Sequence, residues 1–164
     1  MFEKMKGLLG KEKESIVVKS PLEGTAVPAD QINDPAFREQ LLGTTIGIKP
    51  AGKRVVAPVN GVVDSIFETG HAVTMISDDG VQIIIHIGLD TVNLKGRFFT
   101  THVKSGDRIS TGDLMIEFEK DEITNAGYDT ITAVIICNAS EFSQIDTVTN
   151  TEVLELDQIM ALKK

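Results

Sequence analysis

A single cysteine, Cys137, is all the thiol chemistry available to these 164 residues. An internal disulfide is therefore excluded, and a reducing compartment, the cytoplasm, is the simplest expectation. Cys137 closes the apolar run Ala133-Val134-Ile135-Ile136-Cys137 and reads as a small hydrophobe rather than a nucleophile. No apolar stretch approaches the roughly 18 residues of a helical membrane span. Met1 to Gly10 lacks the apolar continuity of a secretory signal. Basic residues are in deficit, with 16 Lys and Arg against 24 Asp and Glu and a formal net charge of −8. Binding a phosphate backbone needs a basic patch, so nucleic acid is excluded as a partner class. An acidic surface fits a basic protein partner, and equally plain solvation.

Low-complexity linkers are absent as well. The length suffices for one domain with its own core. The expected organisation is a flexible N-terminal segment over 1–15 and a single domain over 16–164. In the former, Met1, Phe2, Met5, Leu8 and Leu9 fall at helical spacing among lysines, which allows at most peripheral membrane contact. Gly7, Gly10 and the interleaved glutamates favour a frayed tail.

From Ile16 onward strands alternate with turns. Asp34 to Leu42 reads as a short helix, with Asp34 as cap, Pro35 at the first position and Gly43 as the stop. Val18-Lys19-Ser20-Pro21-Leu22-Glu23-Gly24 resembles Val55-Val56-Ala57-Pro58-Val59-Asn60-Gly61, each a strand followed by Pro, two residues and Gly. That pair suggests a β architecture built by duplicating one unit. Between Val103 and Asp113 two Gly-Asp turns bracket a short strand, and Leu114–Phe118 and Thr132–Cys137 supply further strands. The fold class is all-β with short helical segments.

Two of the three histidines fall where a hairpin brings them together. Phe67 to Ile76 reads as a strand running to Ser77-Asp78-Asp79-Gly80, from which Val81 to Gly88 returns. A two-residue turn at Asp79-Gly80 sets His86 opposite Val73, with His71 its diagonal neighbour; a four-residue loop sets His71 directly opposite. In both registers the imidazoles share a face, with Cβ atoms about 5 to 7 Å apart. A three-residue loop would place them on opposite faces. Thr69 shares the face of His71 by period-two alternation, so its hydroxyl is placed to orient a ring nitrogen. Val81, Ile83 and Ile85 form the core-facing set of the second strand, while Gln82, Ile84 and His86 face out.

Three readings fit such a pair: two unrelated imidazoles on a half-exposed sheet, a zinc site, or nucleophilic chemistry at a histidine nitrogen. Zinc needs at least one more ligand, and no His-x-His motif, cysteine pair or suitably spaced glutamate accompanies these two. In the third reading one neutral imidazole attacks while the other donates a hydrogen bond to the oxygens of the incoming group. A histidine pKa near 6.5 permits the neutral ring at cytoplasmic pH. His102 has no imidazole partner and reads as a surface residue.

Ile85-His86-Ile87-Gly88-Leu89-Asp90-Thr91-Val92-Asn93-Leu94-Lys95-Gly96 resembles the phosphorylation-site signature of the glucose-type enzyme IIA of the bacterial sugar phosphotransferase system. Phe67-Glu68-Thr69-Gly70-His71-Ala72 is similar to the segment carrying that family's second histidine. Likeness extends through Pro21 to Gly24, Phe37, Leu42-Gly43, Ile46 to Pro50, Ala57 to Gly61 and Gly106 to Asp113. The resemblance implies an antiparallel β-sandwich on a duplicated hybrid motif and no cofactor. It implies a phosphocarrier whose His86 accepts a phosphoryl group from the histidine-phosphorylated carrier HPr and passes it to the IIB domain of a sugar permease. His71 then steadies the phosphoryl oxygens, Thr69 holds His71, and the carbonyl of Gly88 fixes the tautomer of His86. Asp34 and Asp90 match acidic rim positions; Phe37, Leu41, Leu42, Phe67, Ile84 and Val92 match the apolar docking rim, with Phe37, Leu42 and Val92 expected to lie exposed. No resident metal is implied, though His71 and His86 could bind zinc adventitiously. Further regulatory targets are compatible with the same patch. Gly70, Arg97 and Ala133 depart from the family pattern. A zinc hydrolase and a regulatory module without turnover are the competing classes.

Overall fold

Short β-branched runs broken by glycine and proline leave no room for long elements, and the structure is built accordingly. The computed structural model describes residues 15–164, so the expectations for the N-terminal segment fall, Ser15 apart, outside the described residues. In chain order the strands are β1 (Ile16–Lys19), β2 (Gly24–Pro28), β3 (Thr44–Pro50), β4 (Arg54–Val56), β5 (Gly61–Ile66), β6 (Ala72–Ser77), β7 (Gln82–Ile87), β8 (Phe99–Thr101), β9 (Arg108–Ile109), β10 (Leu114–Phe118), β11 (Thr132–Ile136), β12 (Gln144–Thr147), β13 (Thr151–Val153) and β14 (Gln158–Lys163). Two short helices, α1 (Pro35–Arg38) and α2 (Lys120–Asn125), and 3₁₀ turns complete the described chain. No helix among the described residues is long and apolar enough to cross a membrane.

All strand pairs are antiparallel. One eight-stranded sheet runs β13-β2-β3-β11-β7-β6-β5-β9, and two three-stranded sheets run β1-β14-β12 and β4-β10-β8. The sheets enclose a core in which Ile48, Val55, Ile83, Ile85, Met115, Ile116, Phe118 and Met160 lose essentially all contact with solvent. Each such side chain contributes roughly 1.5–3 kcal/mol through burial. A second cluster, with Val27, Ile32, Phe37, Leu89, Ala133 and Ile135, forms on the other face of the large sheet, with Ile84 and Cys137 packed against it. Cys137 is only half-buried there, and burial raises its thiol pKa.

The duplicated motif is visible in the hydrogen bonds. Lys19 N–H donates to Pro58 O at 3.1 Å and Val56 N–H to Pro21 O at 2.8 Å, so the two Pro-x-x-Gly segments bond reciprocally. Val18 opposes Met160 in one small sheet and Val55 opposes Ile116 in the other. Ser110 and Leu154 N–H groups are held by the carboxylates of Asp113 and Asp157, each 2.8 Å away and three residues on. The residue before each of these aspartates is left-handed, Gly112 at φ +94° and Leu156 at φ +73°. Leu156 thus hides the second turn from a glycine-based reading. β5 reaches β6 by a tight turn, whereas the β2–β3 connection carries α1.

Two sequence expectations are corrected. The segment from Asp34 contains one helical turn, not a helix to Leu42. Its cap is as expected, Asp34 Oδ1 accepting from Ala36 N–H at 2.9 Å and Phe37 N–H at 3.4 Å, with Pro35 opening the turn. The chain leaves the helix before Gly43, because Gln40 is left-handed at φ +54° and its side chain accepts from Thr45 N–H. The β6–β7 hairpin has neither of the two registers that put His71 on the face of His86. Ser77 and Val81 close a three-residue loop, and His86 opposes Ala72. Gly80, left-handed at φ +85°, supports that loop, Ser77 Oγ accepts from Val81 N–H, and the Asn138 amide donates to Gly80 O.

Candidate functional site

The histidine rings nevertheless meet. Residues 67–71 are not strand, as the alternation argument assumed; they form the β5–β6 turn, closed by Gly70 N–H to Phe67 O and Phe67 N–H to Ala72 O. Gly70 adopts φ +72°, and a Cβ there would stand 3.0 Å from Phe99 Cβ. His71 lies just before β6, its carbonyl still accepting from Ile87 N–H at 2.7 Å, and its ring meets that of His86. The ring centroids lie 5.0 Å apart with planes at 81°.

Each imidazole is anchored through Nδ1. His86 Nδ1 lies 2.8 Å from Gly88 O. A carbonyl oxygen only accepts, so Nδ1 of the neutral ring carries the proton and Nε2 keeps its lone pair. His71 Nδ1 lies 2.5 Å from the Thr69 hydroxyl, so the expected contact exists, formed within the turn and not along a strand. His71 is almost fully buried, and its pKa falls to about 4, first because burial disfavours the charged ring and second because His86 lies beside it. Burial lowers the His86 pKa too, opposed by the Gly88 carbonyl and by the charges of Asp34 and Asp90. Both rings are neutral at neutral pH.

Aromatic contacts extend the pair on both sides. Phe37 packs on His86 with centroids 5.0 Å apart, and Phe67 meets His71 edge-on at 5.2 Å. The expectation that Phe37 lies exposed is corrected: it is 7% exposed, because α1 turns it down onto His86 and the second apolar cluster. Leu41, Leu42, Phe67 and Val92 are exposed, Leu41 at 71%. Ile84 is half-buried two residues before His86, beside an open groove also lined by Thr74, Ile76 and Cys137. Asp34 and Asp90 stand near enough to His86 to favour its protonation. An apolar face with two neutral imidazoles and an acidic edge results.

His102 is exposed and pairs with Glu117, Nε2 to Oε1 at 2.7 Å. Among the described residues no group of three or more His, Cys, Asp or Glu side chains is arranged to hold a metal ion. Sequence reasoning missed Ala72 and Ala133, which oppose His86 on its two neighbouring strands. Their small size leaves room around the ring, but no local signal marks either residue. Thr91 lay inside the quoted signature without a role. Arg97 stacks its guanidinium over the ring of Phe98 at 5.2 Å.

The fold and site define an all-β protein in which a half-buried histidine, His86, is backed by a buried one, His71, beside an apolar rim. The chain belongs to the EIIA 1 family of the phosphoenolpyruvate-dependent sugar phosphotransferase system, which residues 16–142 match. It is 36% identical over 153 residues to the glucose-specific EIIA component of Oceanobacillus iheyensis, covering 93% of each chain. It is 42% identical over 127 residues to the β-glucoside-specific EIIBCA component of Bacillus subtilis, covering 77% of this chain but only 21% of that longer protein. Among solved structures, glucose permease IIA from Mycoplasma capricolum matches with a TM-score of 0.81 at 29% identity, over 91% of this chain and 96% of that one.

Proposed function

We propose that this protein is a cytoplasmic phosphocarrier that takes a phosphoryl group on His86 Nε2 from phosphorylated HPr and passes it to the IIB domain of a sugar permease, with residues 16–164 acting as one EIIA domain. One observation carries the reading: Gly88 O holds the proton on His86 Nδ1, leaving the Nε2 lone pair beside the His71 ring. In the first transfer that lone pair attacks phosphorus. The bond from phosphorus to the donor imidazole breaks, and its electron pair stays on the donor nitrogen. In the second, a IIB cysteine thiolate attacks and the electron pair returns to Nε2. Phosphoryl transfer asks the protein mainly for positioning and for charge stabilisation on the equatorial oxygens. His71 supplies the latter: with Thr69 donating to its Nδ1, the proton sits on Nε2, from which it donates to a phosphoryl oxygen. Leu41, Leu42, Phe67, Ile84 and Val92 form the docking rim, Phe37 supports His86 from beneath, and Asp34 and Asp90 attract a basic partner. Intact mass after incubation with phosphoenolpyruvate, enzyme I and HPr tests this. One acid-labile, alkali-stable phosphate per chain is expected, and His86→Ala protein that still gains it overturns the assignment.

A further inference from the structure

We infer that Thr91 is a positioning residue for His86, acting through the peptide that carries its tautomer-fixing carbonyl; this rests on the phosphocarrier reading above. Gly88 O is the acceptor of His86 Nδ1–H, so its direction decides which ring nitrogen keeps the lone pair. Gly88 is left-handed at φ +76°, a conformation that a glycine with little around it readily leaves. Here two successive peptides are tied at both ends. The Ile87–Gly88 peptide gives its N–H to Ile131 O at 3.0 Å and receives the Thr91 hydroxyl on Ile87 O at 2.5 Å. The Gly88–Leu89 peptide gives its N–H to Asp129 O at 3.0 Å and receives His86 Nδ1 on its carbonyl.

Of these ties other than His86 itself, only the one from Thr91 comes from a side chain. Thr91 is completely buried, so its hydroxyl has no water to turn to. It also packs against the glycine: a Cβ on Gly88 would meet Thr91 Cγ2 at 2.5 Å and Asp129 O at 2.8 Å. The hydroxyl therefore holds the Ile87 carbonyl away from the imidazole and so keeps the next carbonyl, that of Gly88, turned toward Nδ1. Without it the two peptides can rotate together, the Nδ1–H bond lengthens, and the other tautomer, which buries the lone pair on Nδ1, becomes populated. That tautomer has no nucleophile at Nε2.

Nitrogen-15 NMR of the imidazoles, with the rate of phosphoryl acceptance from phospho-HPr, tests the inference on wild type, Thr91→Val and Thr91→Ser. Wild type and Thr91→Ser should show His86 protonated on Nδ1 alone. Thr91→Val should show both His86 tautomers and accept phosphate roughly tenfold or more slowly, as displacement of a reacting atom predicts. The His71 resonances, set by Thr69, should stay unchanged, which separates a local effect from general loosening. Thr91→Val with an unaltered His86 tautomer overturns the inference, as does equal loss in Thr91→Ser. Should Thr91→Val not fold, Thr91→Ala takes its place with the same two outcomes. Failure of wild type to accept phosphate strikes the phosphocarrier reading instead, because the tautomer measurement needs no phosphate.

Discussion

His71 and His86 stand edge to face with ring centroids 5.0 Å apart, yet each is anchored through Nδ1 to a different acceptor or donor from its own loop. Both Nε2 atoms are therefore the nitrogens that these anchors leave unengaged, and the roles proposed for them can be tested apart.

His71→Gln should still accept phosphate on His86 but pass it onward poorly. A glutamine amide donates a hydrogen bond yet moves no proton, and loss of acid–base help amounts to about 10²-fold or more. Rapid-mixing transfer to the IIB partner measures it. Unchanged onward transfer would leave His71 a structural residue.

Stability should fall as the solution is acidified through the histidine range, and His71 should account for part of the fall. Its folded pKa is about 4, lowered by burial and by His86, against 6.5 for an ordinary histidine. Between those values the unfolded chain binds more protons than the folded one, so unfolding is favoured as pH drops, and the loss is complete below the folded pKa. The size is on the order of 3 kcal/mol from the shift. Urea titrations at pH 7 and pH 4 should show a smaller difference for His71→Gln than for wild type.

Asp34→Asn and Asp90→Asn should mainly slow association with HPr and flatten its salt dependence. Asparagine still caps α1, so the helical turn should survive the first change. Leu42→Asp should weaken binding at every ionic strength, because it places a charge in a surface that must lose water. Calorimetric titration at two salt concentrations separates the outcomes; a salt dependence that survives both asparagine changes would reduce the acidic rim to solvation.

Gly70→Ala should destabilise the fold by about 1–2 kcal/mol, as a forced left-handed residue does. Gly80→Ala is the control: its φ is +85° but a Cβ there meets nothing within 4 Å, so it bears the backbone strain alone. Gly70→Ala should melt lower than Gly80→Ala in a thermal scan, because its Cβ also crowds Phe99. Equal melting temperatures would remove the Phe99 contact from the account.

Much of the site was legible because its signals are local. The Asp34-Pro35 start, the outward set Gln82, Ile84 and His86, and the two Gly-Asp turns around β9 depend on residues only a few positions apart. The strands after Cys137 carry no such local mark, and Leu156 stands where the matching turn has Gly112, so glycine does not mark the second copy. The meeting of His71 with His86 is hidden from the sequence for a related reason: the strand β6 does not extend back through Gly70, where the chain turns.

The amino-acid sequence alone determined that this is an all-β chain, that His86 faces outward on β7, and that its surroundings carry the phosphotransferase-family signature, since alternation and turn chemistry act over a few neighbouring residues. Only the tertiary structure decided that His71 reaches His86 from a turn, that α1 folds Phe37 down onto the ring, and that Thr91 lies buried beneath Gly88. Those placements arise where separate segments pack against one another, and contact between distant segments depends on how the whole sandwich closes.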